Sequence, residues 1–199
     1  VLHHGCVDFV HRVLLDPAQR PEAFDAMLGT NALRVVGWRF ALGVVVIDVG
    51  KGALAALLGL APIGATAATP FAALTVAAAC SFAAVIGHCW PVFFGFRGGK
   101  GAGTALGAGL VLAPALAGMM VVLWLLVVSS TRYVGLATVL AGLSFPAFVL
   151  LAGQFGHARA NAMLVFSIAI ALLIVFTHRG NLLRLWRGQE PRLGGGGKP

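Results

Sequence analysis

Residues that can do chemistry are few in this chain, and most of them gather in one stretch, Gly87-His88-Cys89-Trp90-Pro91-Val92-Phe93-Phe94-Gly95-Phe96-Arg97-Gly98-Gly99-Lys100-Gly101-Ala102-Gly103-Thr104. Glycines let backbone N–H groups approach a ligand closely, while Arg97 and Lys100 supply charge, so the run can form an anion-binding cradle. Phosphate is the natural ligand, because arginine offers a bidentate fork and lysine a point charge. The competing reading is a flexible cytoplasmic loop that obeys the positive-inside rule. His88, at the edge of the cradle, is either a general base or phosphate donor, or an interfacial helix cap.

A second cluster lies near the C-terminus, His178-Arg179-Gly180-Asn181-Leu182-Leu183-Arg184-Leu185-Trp186-Arg187-Gly188-Gln189-Glu190. His178, Asn181 and Arg184 recur at a spacing of three, so a helix presents them near one face, where they can meet a polar ligand at the membrane edge. The alternative is a solvated basic juxtamembrane helix anchored by Trp186. There is no G-x-S-x-G, no Ser/His/Asp series, and no histidine or carboxylate cluster suited to a metal. Cys6, Cys80 and Cys89 show no CxxC pairing. An enzyme built from these parts works by positioning and electrostatics on an already activated substrate. A cradle at the bilayer edge suits a reaction joining a phosphorylated soluble compound to a lipid.

The elements that must position these residues are membrane helices. Of 199 residues 59% are hydrophobic and only 10% charged, whereas a soluble domain is about a quarter charged. The net charge of +8 is read as basic loops of a membrane protein, not as a nucleic-acid surface, since the aromatic-interleaved basic pattern is absent. The reading is an all-α polytopic membrane bundle. Residues 1–38 form a polar or amphipathic N-terminal segment, 39–192 the membrane domain and 193–199 a disordered tail. Spans are expected at 40–61, 71–88, 134–152 and 162–177. The run 102–128 is too long for one crossing of a hydrocarbon core of about 30 Å and is interrupted by Pro114, so two short helices are expected there, giving about six. A bend is expected at Pro146, a loop at 153–161, and a pair between Asp48 and Lys51 within the first span. Six crossings put the Arg97/Lys100 loop, Arg132 and the basic tail on one side, the cytoplasmic one, with only Arg159 opposite.

The glycine stretch resembles the central motif of the PlsY-type acyl-phosphate:glycerol-3-phosphate acyltransferases, and His178 to Arg184 with Gly188 and Glu190 is similar to their C-terminal motif. Gly29-Thr30-Asn31-Ala32-Leu33-Arg34, followed by Asp48 and Lys51-Gly52, resembles the end of their first motif and the next helix. The resemblance implies a multi-pass enzyme of the bacterial inner membrane, its active face cytoplasmic. It would transfer an acyl group from acyl phosphate to glycerol 3-phosphate, giving lysophosphatidic acid and phosphate, the first step of phospholipid synthesis. No metal, cofactor, acyl-CoA or acyl-enzyme is implied, and membrane lipid is the surrounding partner, with no protein partner indicated. By the same resemblance His88, Lys100 and Asn181 are catalytic. Thr30, Asn31, Arg34, Arg97, Gly98, Gly99, Gly101, Thr104, His178, Arg184 and Glu190 would bind substrate and phosphate.

Two features depart from that family. It normally has one more helix, giving seven, and a Ser-Gly-Asn-x-Gly run where this chain reads Phe24-Asp25-Ala26-Met27-Leu28. An N-terminus altered by truncation is one reading. The other is a catalytically impaired homologue that binds lipid precursors or a membrane partner. A transporter of phosphorylated compounds predicts polar residues through the bilayer, and beyond Asp48 and Lys51 the spans carry few.

Overall fold

A computed structural model of the chain describes residues 38–61, 70–153 and 157–194. Thr30, Asn31 and Arg34, the N-terminal segment and the last five residues lie outside them. The described residues form seven α-helices: α1 (Trp38–Leu60), α2 (Pro70–Cys89), α3 (Ala102–Leu112), α4 (Pro114–Thr131), α5 (Val134–Ala152), α6 (His157–Thr177) and α7 (Arg179–Trp186). A single 3-10 turn, Val92–Phe94, interrupts the glycine-rich connection between α2 and α3.

The chain divides into two compact units, Val1–Asp48 and Val49–Pro199. In the first, the described part is the opening of α1, where the Arg39 guanidinium lies 5.4 Å from the centre of the Trp38 ring. Such a cation–aromatic pair suits the edge of a bilayer.

The second unit holds the rest of α1 and all the other helices. Its packing relies on small residues, because apolar side chains gain little by leaving lipid and close backbone approach supplies the contact instead. A Cβ on Gly52 would lie 1.9 Å from the Thr104 carbonyl oxygen, and one on Gly107 would lie 1.9 Å from that of Val49, so α1 and α3 meet backbone to backbone. Larger side chains fill the centre between α5 and α6, where Phe145 meets Phe166 edge-on with ring centres 6.1 Å apart. Leu126 and Leu151 are exposed; on helices this apolar, that surface faces lipid.

The expected break in 102–128 is present at Pro114. Ala113 takes φ −151° and ψ 70°, because a proline's ring pushes the preceding residue out of the helical region. Pro114 then opens α4, where its missing N–H costs nothing. Four helices, α1, α2, α4 and α5, are long and apolar enough to cross a membrane; α6 passes the same test together with α7 across a bend of 54°, and because α7 carries Arg179 and Arg184, α6 supplies the apolar passage and α7 stands at its polar end. The 11 residues of α3 reach about 16 Å, roughly half of a hydrocarbon core. The sixth expected crossing is therefore a partial passage. α5 continues unbroken through Pro146. The expected loop at 153–161 is shorter, since α6 begins at His157; alanines on both sides of Arg159 favour helix there.

The basic segments that charge grouped on one side do gather at one end of the helices within this unit. Thr177 Oγ1 donates to the Lys100 carbonyl oxygen at 3.0 Å, and the Leu193 amide donates to the Arg132 carbonyl at 2.7 Å. The glycine-rich loop, the α4–α5 turn and the C-terminal segment thus meet at one end of the helices.

Candidate active site

The α2–α3 loop is wedged against the end of α2. The Gly99 amide donates to the His88 carbonyl at 3.1 Å. A Cβ on Gly98 would stand 2.1 Å from the same oxygen and 2.6 Å from Pro91 Cδ. Gly101 has φ +82°, and a side chain there would press on Val85 at 2.7 Å. Only glycine combines that positive φ with that closeness. The turn places Lys100 between α2 and α7 and starts α3 with no side-chain cap, so the first amides of α3 are free to face an anion. Thr104, in that first turn, is fully buried, and its hydroxyl has no hydrogen-bond partner.

Across from the loop, four side chains form a chain of charge-assisted hydrogen bonds. Lys100 Nζ donates to Asn181 Oδ1 at 2.5 Å, and Asn181 Nδ2 donates to Glu190 Oε1 at 2.6 Å. Arg184 Nε donates to Glu190 Oε2 at 2.8 Å. Lysine has no acceptor and a carboxylate no donor, so these partners fix which way the Asn181 amide points. Glu190 is nearly covered, with its side chain 6% exposed. Two cations against one carboxylate leave a net positive charge. Solvent lost around the Lys100 ammonium lowers its pKa; the nearby Arg184 charge lowers it further, and Glu190 opposes both.

The two histidines carry opposite tautomers. His178 Nδ1 lies 2.9 Å from the Ile174 carbonyl oxygen. A carbonyl only accepts, so Nδ1 bears the proton and Nε2 the lone pair. Burial, followed by the Lys100 charge, brings the His178 pKa down to about 4, which leaves the ring neutral at neutral pH. His88 Nδ1 instead accepts from Lys51 Nζ, so a neutral His88 carries its proton on Nε2. That edge lies against Gly99, where a Cβ would come within 2.0 Å of Nε2.

Of the sequence-predicted residues, Lys100, His178, Asn181, Arg184 and Glu190 come together, and His88, Gly98, Gly99 and Gly101 shape the loop that holds Lys100. Arg97 projects from this loop with its side chain exposed and without a partner among the described residues. Sequence reasoning missed three contributors. Lys51, read from the sequence only within α1, also reaches His88 on α2. Gly135 lets α5 touch Asn181, with a built Cβ 2.8 Å from the Asn181 Cβ. Tyr133 receives Arg192. The available signal was the Arg132-Tyr133-Val134-Gly135 run, a charged, aromatic and small-residue cluster at a helix start.

A family model described as glycerol-3-phosphate acyltransferase matches residues 27–188. A glycerol-3-phosphate acyltransferase of Chlorobium luteolum is 37% identical over 190 residues, covering 83% of this chain and 80% of the relative. The Chlorobaculum tepidum protein of the same name is 36% identical over 192 residues, covering 85% and 82%. Two crystal structures of PlsY, an integral membrane glycerol 3-phosphate acyltransferase, are similar in fold. The lysophosphatidic acid form gives a TM-score of 0.72 at 35% identity over 83% of this chain and 78% of that one. The glycerol 3-phosphate form gives 0.74 at 30% identity over 97% and 94%. With a cradle of glycines and cations on a helical membrane scaffold, and a family match over most of its length, the chain belongs to the glycerol-3-phosphate acyltransferase family.

Proposed function

We propose that this chain is a bacterial inner-membrane enzyme that moves an acyl group from acyl phosphate to a hydroxyl of glycerol 3-phosphate, on the cytoplasmic face. The observation that carries the reading is the Lys100–Asn181–Glu190–Arg184 chain set beside the uncapped start of α3. Both substrates are phosphorylated, and the site offers cations, free amides and the buried Thr104 hydroxyl to hold phosphate. Arg97 and the Gly98, Gly99 and Gly101 amides line the same loop. The relatives named above are glycerol-3-phosphate acyltransferases, which supports the acceptor; the donor is inferred from the family resemblance, with which the lack of an activated nucleophile in the sequence agrees.

In the reaction the acceptor hydroxyl attacks the acyl carbon, the new ester C–O bond forms, and the bond to phosphate breaks. Lys100 stabilises negative charge as it builds, and Asn181 and Glu190 keep the ammonium in place. His178 has a free lone pair at Nε2 but is a weak base at about 4. A phosphate with a second pKa of about 6 is the better proton acceptor. The hydroxyl proton therefore leaves on substrate phosphate, and the His178 Nε2 lone pair orients the acceptor by taking a hydrogen bond from its other, non-reacting hydroxyl.

Donor choice tests the reading directly. Purified protein given glycerol 3-phosphate and either palmitoyl phosphate or palmitoyl-CoA should form lysophosphatidic acid from the first alone. Product from palmitoyl-CoA, or from neither donor, would contradict it.

A further inference from the structure

Glu190 is the residue that ties the site's asparagine to its arginine, yet it lies beyond the end of α7. Gly188 takes φ +69° and turns the chain back, and the Gln189 amide closes the turn on the Arg184 carbonyl at 2.7 Å. Residues 189–192 then run on without helix. Two contacts pin this segment to the α4–α5 turn. Arg192 Nε donates to the Tyr133 hydroxyl at 3.1 Å, its guanidinium 5.3 Å from that ring's centre. The Leu193 amide donates to the Arg132 carbonyl at 2.7 Å. Arg132 is one of two described non-glycine residues with positive φ, at +62°, a conformation that turns its carbonyl out of helical register.

We propose that Arg192 and Tyr133 are positioning residues: they clasp the segment after α7 onto the α4–α5 turn and so hold the Glu190 carboxylate on Asn181 and Arg184. The proposal rests on the reading that Lys100 and Asn181 form the reacting centre. The clasp acts over two residues of chain, from Arg192 to Glu190, with Pro191 between to stiffen it. The turn it grips also carries Gly135, against which Asn181 packs, so one turn sets both members of the Asn181–Glu190 bond. Contacts of this kind are individually weak. A hydroxyl hydrogen bond and an exposed cation–aromatic pair are each worth about tenfold at most in the open-to-closed ratio. Their loss should therefore lower the rate severalfold and leave the helices intact.

The distinguishing readout is the protonation of Lys100. Two charged groups act on it, Arg184 and Glu190, the neighbouring His178 being neutral under the same Lys100 charge, and only Glu190 favours the charged form. Freeing Glu190 thus lowers the Lys100 pKa. Competitive acetylation of the whole detergent-solubilised protein across pH, read at Lys100 by mass spectrometry, reports this without requiring turnover. Wild type, Glu190→Gln, Arg192→Gln and Tyr133→Phe are compared, with far-UV circular dichroism confirming fold. Tyr133→Phe keeps the ring and removes only the hydroxyl. The expected result is a labelling midpoint at lower pH in all three variants, with Arg192→Gln and Tyr133→Phe together moving it no further than Glu190→Gln. A wild-type midpoint in both clasp variants overturns the proposal, and so does an unmoved midpoint in Glu190→Gln. A protein with these shifts but no acyl transfer would contradict the proposed function and leave the clasp standing.

Discussion

Replacing Gly98 with alanine tests how the loop holds Lys100. The new Cβ would sit 2.1 Å from the His88 carbonyl oxygen, 2.8 Å from that of Cys89 and 2.6 Å from Pro91 Cδ. None of these is the free end of a flexible side chain; two belong to the last turn of α2, and the third is a ring closed on its own backbone. The loop must therefore yield. Restoring ordinary contact moves it by about 1 Å, and Lys100 lies two residues away with its ammonium held at 2.5 Å from Asn181 Oδ1. A misplacement of about 1 Å costs on the order of 100-fold in rate, or about 2.7 kcal/mol of barrier. The assay is kcat/KM for phosphate release from palmitoyl phosphate in the presence of glycerol 3-phosphate, with thermal melting to follow the fold. Gly87→Ala serves as control, because nothing lies within 4 Å of its built Cβ. Gly98→Ala within threefold of wild type would refute the wedge.

Three further outcomes are expected. Thr104→Val removes a buried hydroxyl that has no partner; the ligand-free protein should gain about 1 kcal/mol of stability while KM for glycerol 3-phosphate rises, and a lowered melting temperature would count against this. Gly135→Ala puts a Cβ 2.8 Å from Asn181 Cβ and 2.9 Å from its Nδ2, so kcat should fall about tenfold through displacement of the amide, with an unchanged kcat as the contrary result. His178, at about 4 when folded against about 6.5 unfolded, takes its proton only in the unfolded chain between those values. Stability should therefore fall as pH drops from about 6.5 to about 4, by about 3 kcal/mol in all, and be unaffected above that window. Melting curves of wild type and His178→Gln across this range check the sign, since the variant should lose that part of the slope.

Much of this arrangement is legible in the sequence. Apolar runs marked α1, α2, α5 and α6 because a bilayer demands long uninterrupted helices, and Pro114 marked the α3–α4 break because its ring excludes helix one residue earlier. The Arg97/Lys100 loop and the His178–Glu190 segment were placed on one side by charge alone, and the Thr177–Lys100 and Lys100–Asn181 contacts bear that out. The hidden part depends on distance between elements. Periodicity gives the face of a helix but not its neighbour, so nothing in the chain announced that Lys51 meets His88 or that Gly135 lies under Asn181. The histidine tautomers were equally out of reach, since each is set by one partner, a lysine in one case and a carbonyl in the other. Two short helices were legible at 102–128, but not that α3 alone falls short of a crossing, because composition reports apolar length without saying how deep a helix goes.

The most direct test of acyl transfer is phosphate release from palmitoyl phosphate by the purified protein, with and without glycerol 3-phosphate, beside Lys100→Ala. The account predicts release that requires glycerol 3-phosphate and disappears in the variant. Folded wild-type protein that releases no phosphate, or releases it equally without the acceptor, would contradict it.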